Sequence, residues 1–453
     1  MPANLLNLPA YTVVALEKSE YDYHIDAEVK WAVTHCIHCQ AENPQGFGRR
    51  EQVVKDLPMH GKRVGIYVTT RRYRCRACTK TFYEPLPDTD EKRAMTTRLV
   101  AWMGKQAIKR TFASIADEVG CTEFTVRAVF SDYVNELERT IRFETPKWMG
   151  IDEIHLIKPR GVITNIQNNA VVELLANRNK ETIIKYLSGL QGKESIQYVA
   201  MDMWQPYKDA VEVSLPQARI VIDKFHVVKM ANEAMERVRK SYRESLTPNQ
   251  RRGLMHDRFV MLKRESELND REVLLLSGWL KNYPELGLAY RLKEDFVKIY
   301  DAKTKEEALR RFVAWEIAVT ADVRDAFQDL IRAWRNWQPY ILAYFDHPVT
   351  NAYTESLNNL VRVMNRIGRG YCFEALRAKI LFSEGAFKKQ TIKPKFERRR
   401  EPQVATRNFE MALMREMPAY AFTAAHQPNE PAREINFGAD ISTLVRLIES
   451  GEL

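Results

Sequence analysis

Trp148-Met-Gly-Ile-Asp152-Glu-Ile-His-Leu156 is an apolar run broken by Asp152, and the way the chain continues it decides the fold. Two further β-like runs, 162–166 and 170–175, follow with Asn168-Asn169 between them as a turn signal. Helical spacing covers 182–190, and strand-like runs at 196–201 and 218–222 each finish on a carboxylate, Asp202 and Asp223. Three hairpin-like strands, a helix and two acid-tipped strands predict a mixed sheet with acids gathered at one edge. Carboxylates brought together repel unless positive charge lies between them. Hard divalent cations meet that need, and two of them roughly 3.5–4 Å apart can clamp the attacking and leaving oxygens of a phosphodiester. A lone Asp at a strand end more often starts a turn or caps a helix; the ordered set is what favours chemistry.

The 453 residues exceed one ordinary domain, so about two to four are expected. A net charge of +10 favours a polyanionic partner. No apolar run approaches the roughly 18 residues of a membrane span, and the N-terminus lacks a basic region followed by an apolar one, so a cytoplasmic protein without membrane partners is expected. In that compartment the six cysteines read as metal ligands or core residues before disulfides. Cys36-Ile-His-Cys39 and Cys75-Arg-Ala-Cys78 are two knuckles whose four thiolates suit one tetrahedral, structural Zn²⁺. Strand-like alternation at 64–73 leads into the second knuckle and 81–83 leads out, the layout of a zinc ribbon. His35, His38 and His60 are spare ligands without a vacancy. Arg71, Arg72, Arg74, Arg76 and Lys80 surround the second knuckle, as a phosphate-touching or a merely solvated face.

After a linker at 85–90 and a helix at 98–108, residues 112–130 predict two short helices about a Gly120 turn, with Thr122 as N-cap of the second. That helix-turn-helix would offer Thr122, Glu123, Thr125 and Arg127 to base edges. A helical connector is expected at 134–143. Residues 227–345 show helical periodicity with little strand signal, including one run at 305–333; Trp279, Trp315, Trp334 and Trp337 read as core, or as a stacking platform for an unpaired base. Thr350-Asn-Ala-Tyr-Thr-Glu355-Ser-Leu-Asn-Asn359 enters a helix that carries Arg362 and Arg366 beyond the acid, suited to metal and phosphate or to a plain surface. Helical spacing resumes at 374–387, Cys121 and Cys372 read as packed thiols, 388–400 is strongly basic, and 441–448 is amphipathic.

Taken in this order, the motifs resemble the DDE transposases of bacterial insertion sequences, and among them the ISL3 group. The matching parts are the Cys₄ ribbon, the helix-turn-helix, Gly-Ile-Asp152-Glu, Met-Asp202-Met-Trp-Gln-Pro-Tyr, Val-Ile-Asp223-Lys-Phe-His226 and the Glu355 motif; they span roughly 36–387. The resemblance implies a multidomain α+β chain whose RNase H-like mixed α/β catalytic domain is interrupted by an all-α insertion. The expected divisions are a zinc ribbon at 1–90, helix-turn-helix and connector at 91–144, core at 145–226, insertion at 227–345, second core part at 346–400 and a tail at 401–453. It implies Asp152, Asp202 and Glu355 as ligands of two Mg²⁺ (or Mn²⁺), with Asp223 the alternative second acid and His226 an organiser beside them or a core histidine. It further implies double-stranded DNA, both element ends and target, as partner, a homodimer or larger assembly, and a bacterial, nucleoid-associated setting. A DNA-binding regulator with an inert nuclease domain, or a nuclease without strand transfer, would share these features.

Overall fold

The structure, a computed structural model, describes residues 6–386. The sequence-predicted features at 388–400 and 441–448, and the tail from 401, lie outside the described residues. The first five strands, β1 (Tyr11–Lys18), β2 (Asp22–Val29), β3 (Gln45–Met59), β4 (Lys62–Arg74) and β5 (Thr81–Tyr83), form a sheet of order β1-β2-β4-β3 with β5 on β4. Its core is small, built from alternate residues such as Ile25, Ala27, Val29, Val64, Ile66 and Val68. Most of this sheet was not foreseen: β1 is exposed along nearly its whole length, and β3 opens with seven exposed residues, so neither carries a strong apolar signal.

Three helices follow, α1 (Thr97–Lys109), α2 (Phe112–Val119) and α3 (Glu123–Thr140). Thr96, Thr111 and Thr122 cap them, each side-chain oxygen accepting a backbone N–H three residues on. Gly120 ends α2 at φ 70°, a left-handed cap that suits glycine. The predicted turn is therefore present, but α3 is long: the expected connector is its continuation as far as Thr140.

The second sheet contains β6 (Trp148–His155), β7 (Pro159–Asn165) and β8 (Ala170–Leu174), then, beyond α4 (Lys180–Gly189), β9 (Tyr198–Met201), α5 (Gln205–Ser214) and β10 (Arg219–Ile222). The order is β10-β9-β6-β7-β8. β10, β9 and β6 are parallel, while β6, β7 and β8 are antiparallel, the mixed sheet the sequence predicts.

Helices α6 (Lys224–Ser241), α7 (Pro248–His256), α8 (Arg258–Leu262), α9 (Asp270–Asn282), α10 (Pro284–Ile299), α11 (Lys305–Ala318) and α12 (Ala321–Asp346) come next. The run expected at 305–333 is two helices, broken between Ala318 and Ala321. One continuous core joins Met149, Met201 and Ile222 of the sheet to Phe296, Phe312, Trp315 and Trp334 of these helices. Phe312 stacks on Trp334 at 4.3 Å and 6°, and Trp279 and Trp337 pack against the same core. The chain returns through α13 (Ala352–Ile367) and α14 (Phe373–Ile380), which pack against β6–β8. Cys372, expected in a core, is exposed at the start of α14. Among the described residues no helix is long and apolar enough to cross a membrane.

Candidate functional site

The register of the parallel strands lines up three aspartates. Ile151 pairs with Met201 and Met201 with Ile222, and these are the last parallel pairings among β6, β9 and β10. The next residues are Asp152, Asp202 and Asp223. Open α/β sheets bind ligands beyond the carboxyl ends of their parallel strands, where backbone groups are released from the ladder. Because β6 continues to pair with β7 as far as His155, Asp152 lies within its strand rather than at its end.

α13 brings the fourth acid. Glu355 is exposed in its first turn. The opposite face is polar but buried: Asn351 donates Nδ2–H to Ile151 O at 3.4 Å, Thr354 hydrogen-bonds Asn351 and, at 2.7 Å, Thr164, and Asn358 donates to Asp152 Oδ2 at 2.9 Å and Glu153 O at 3.1 Å. Asn351, Thr354 and Asn358 repeat at helical spacing, a signal present in the sequence but concealed by their polarity. Their close seat on β6 requires Gly150. A Cβ there would collide with Asn351 Oδ1 and Thr164 Oγ1 and lie 2.9 Å from Thr354 Oγ1. Since these atoms bond one another and are buried, Gly150→Ala is expected to cost about 1–3 kcal/mol of folding stability, checked by denaturant titration against the parent.

The acids form two overlapping groups with ligand atoms within 4.8 Å of one another: Asp152, Asp202 and His226, and Asp223, His226 and Glu355. Asp152, Asp202 and Glu355 thus neighbour one another around His226 rather than forming one tight trio. Asp152 is 4% exposed. Burial first, then the charge of Asp202, pushes its carboxyl up to about 8, although Glu153 N–H donates to Oδ1 at 2.7 Å. His226 places Nδ1 2.8 Å from Asp202 Oδ1 and 3.5 Å from Asp223 Oδ2. Burial works against its charge, but the two carboxylates outweigh it and raise its pKa to about 10. Asp223 is fully buried as the N-cap of α6, accepting from Phe225 N–H at 3.4 Å, whereas Asp202 is partly open to solvent. A groove of about 300 Å³ adjoins Asp202, lined by Trp204, Lys229 and Arg178, whose guanidinium pairs with Glu153 and stacks 4.4 Å over Trp204. Four carboxylates around one imidazole leave negative charge uncompensated; with hard oxygen donors, this set fits Mg²⁺ or Mn²⁺.

The predicted DNA-contacting residues separate. Thr122 is exposed at the start of α3 and Thr125 is half-exposed, 3.0 Å from it. Arg127 is engaged, 3.3 Å from Glu123 and stacked 5.0 Å over Phe112. Phe124, passed over in the sequence, is 80% exposed beside them. On α13, Arg366 is exposed and Arg362 donates to Asn359 at 2.9 Å. Around the second knuckle Arg71 is structural, held by Glu84 at 2.8 Å and by Val29 O at 2.7 Å. Arg72 and Arg74 lie over Phe47 at 5.2 and 5.8 Å, while Arg76 and Lys80 are exposed.

The knuckles meet as predicted. All four cysteine sulfurs lie within 4.8 Å of one another, with Cys36–Cys78 at 3.8 Å and Cys39–Cys75 at 3.6 Å. Tetrahedral Zn²⁺ with Zn–S bonds of about 2.3 Å needs sulfurs about 3.8 Å apart. The backbone N–H of His38 points to Cys36 Sγ at 3.4 Å and that of Cys78 to Cys75 Sγ at 3.5 Å; the latter leads the causes that lower the Cys75 thiol to about 7. This site supports one structural Zn²⁺.

Comparison with known proteins finds three family models that match successive parts of the chain. Residues 149–380 match the ISL3 DDE family model described as "Transposase". Residues 32–78 match "zinc-finger of transposase IS204/IS1001/IS1096/IS1165", and 84–134 match "Helix-turn-helix domain of transposase family ISL3". The chain is 24% identical over 344 residues to the transposase for insertion sequence element IS1001 of Bordetella parapertussis, covering 74% of this chain and 85% of the relative. It is 24% identical over 303 residues to the transposase for insertion sequence element IS1557 of Mycobacterium tuberculosis, covering 60% and 67%.

Proposed function

The chain belongs to the ISL3 transposase family, and from that premise we propose that it binds the terminal inverted repeats of its own insertion sequence, cuts there, and joins the freed 3′-OH to target DNA. Family membership carries DNA binding and transposition; the chemistry is read from the acid cluster. The supporting observation is the row Asp152, Asp202, Asp223 beyond the last register of three parallel strands, faced by Glu355 on α13. In this reading 145–226 and 346–400 form an RNase H-like core, and 227–345 is its all-helical insertion.

Asp152, Asp202 and Glu355 would hold two Mg²⁺. Bound there, the ions would supply the Lewis acidity that activates water or a 3′-OH and neutralises the leaving oxygen. Asn358 and the Glu153 N–H fix the two oxygens of Asp152. His226 sets Nδ1 beside Asp202 and Asp223 and, as an imidazolium attracted to both, would hold Asp202 in place. Asp223 anchors that histidine and α6 from below. Phosphates flanking the cut meet Arg362 and Arg366, and the first turn of α3 (Thr122, Phe124 and Thr125) enters the major groove of the end. Phe124 fits a thymine methyl there. Two ends must be held together, so the working form is a dimer or larger assembly.

Asn358→Ala leaves the acids in place but frees Asp152 to rotate. A loss of about 10- to 100-fold in cutting is expected with end binding intact, measured by time courses of nicked product. The reading itself is tested by incubating the full chain with a labelled duplex carrying the element's end and a target plasmid, in Mg²⁺, Mn²⁺ or EDTA. Metal-dependent nicks and joined products support it. End binding without cutting in either metal indicates a regulator, and cutting without joining a nuclease.

A further inference from the structure

α14 buries its faces in two different cores. Ala375, Ala378 and Phe382 just beyond it complete the core of α1–α3, together with Phe112, Phe130 and Val134. Leu376, Ile380 and the following Leu381 join Ile154, Val162 and Leu174 of the sheet, and Leu357 and Val361 of α13. The helix that carries Glu355 and the helix assigned to DNA ends therefore pack through one shared wall.

Two cations on α14 strengthen it. Lys379 is 1% exposed. Its ammonium donates to Ala107 O and, at 2.8 Å, to Arg110 O at the C-terminal end of α1, under the faces of Phe112 (4.4 Å), Tyr371 (4.9 Å) and Phe130 (5.2 Å). Free carbonyls at a helix C-terminus and aromatic faces both favour a cation, working against the burial that lowers the Lys379 ammonium to about 7; the hydrogen bonds to Ala107 O and Arg110 O persist in either protonation state. Two residues earlier, Arg377 forks onto both oxygens of Glu173 in β8 at 2.7 and 2.6 Å, and its remaining NH donates to Glu138 of α3 at 2.9 Å. A guanidinium can span two carboxylates in this way, whereas an ammonium cannot match the fork. Neither side chain touches the acid cluster or the exposed first turn of α3. Their partners lie on the elements that carry those sites or pack beside them.

We propose that α14 is a fixed spacer between the DNA-reading helix and the acid cluster, and that Arg377 and Lys379 are positioning residues that determine where along a bound end the cut falls. The proposal rests on the transposase reading given above. A module tethered only by a linker would let the cut wander along the DNA, whereas this buried wall holds one offset. A displacement near 1 Å at a reacting centre already costs about 10²-fold in rate, so small slack in the wall is visible in the products.

The test uses the full chain, a labelled duplex carrying the element's end, footprinting, and mapping of cuts to the nucleotide. For Arg377→Gln and Lys379→Met the footprint and affinity are expected to stay within about threefold of wild type. Cutting at the wild-type nucleotide is expected to fall by about 10- to 100-fold, with new cuts at adjacent positions. Arg377→Lys falls between, since it restores charge without the fork. Glu138→Gln guards against misfolding: its side chain is 45% exposed, and it loosens the α3 end of the bridge alone, so some spreading of cuts is expected with an unchanged melting curve. A single wild-type cut at the wild-type rate in Arg377→Gln and Lys379→Met overturns the spacer while leaving the transposase reading intact. End binding lost in parallel with cutting also overturns it, because the residues would then only support the fold of α1–α3. Wild-type protein that binds ends and never cuts overturns the reading and the spacer with it.

Discussion

Asp202→Asn is expected to lower strand cutting and joining by about 10³-fold or more while end binding persists. Metal-borne charge stabilisation is worth several kcal/mol in the transition state, and about 4 kcal/mol corresponds to about 10³-fold. The amide keeps the size of the side chain but loses the charge, one of the three proposed to hold the ions. Asp223→Asn is expected to cost much less, about tenfold. Asp223 is fully buried, spends one oxygen on the α6 N-cap and turns the other toward His226; asparagine caps a helix about as well. Its loss loosens His226 rather than removing a ligand. Parallel time courses of nicked and joined products in Mg²⁺ and Mn²⁺ measure both. The reverse ranking, with Asp223→Asn dead and Asp202→Asn active, would make Asp223 the second acid, an outcome its grouping with Glu355 makes concrete.

Removing zinc is expected to have the second large effect. The knuckle region owns a core of only four buried residues, Cys36, Tyr73, Cys75 and Phe82, with β5 only three residues long. So small a core does not hold itself without a metal, and structural Zn²⁺ contributes about 10–16 kcal/mol of binding free energy in isolated fingers. Cys75→Ser, or prolonged chelation, is expected to release one zinc per chain and lower end affinity by more than about tenfold, roughly 1.4 kcal/mol. β1–β4 have a separate core and remain folded. Zinc analysis, gel shift and limited proteolysis near 33–44 follow the three consequences. Full end affinity in a zinc-free protein would separate the ribbon from end recognition.

The legible parts of the sequence were those with local physical signatures. Paired C-x₂-C knuckles announce four thiolates, Gly120 followed by Thr122 announces a turn and a cap, and apolar runs that stop on Asp202 and Asp223 announce strand ends. Their alignment with Asp152 was foreseen as acids at one edge, although β6 runs past its acid because β7 continues to pair with it. In the N-terminal sheet β4 and β5 are legible beside the second knuckle, but β1–β3 are not, because strands buried on one face of a small core need few large apolar residues. Asn351 and Thr354 give no apolar signal, and Asn358 reads as a group for metal or phosphate rather than as a brace of Asp152, because buried polar residues read as surface until their partners are known. Arg71 and Arg127 illustrate the reverse: basic residues that the sequence offers to phosphate and to base edges are tied to Glu84 and Glu123 in the structure. The wall formed by α14 depends on contacts between residues more than 200 positions apart, such as Arg377 with Glu138 and Glu173, which no local pattern encodes.

Counting Mn²⁺ ions by electron paramagnetic resonance in the zinc-loaded chain bound to its end duplex tests the central claim most directly. Two ions per chain are predicted for wild type and for Asp223→Asn, with at least one lost in Asp152→Asn, Asp202→Asn and Glu355→Gln. Manganese binding that is absent from wild type, or that survives all three substitutions unchanged, would contradict a metal-dependent cutting site at these acids.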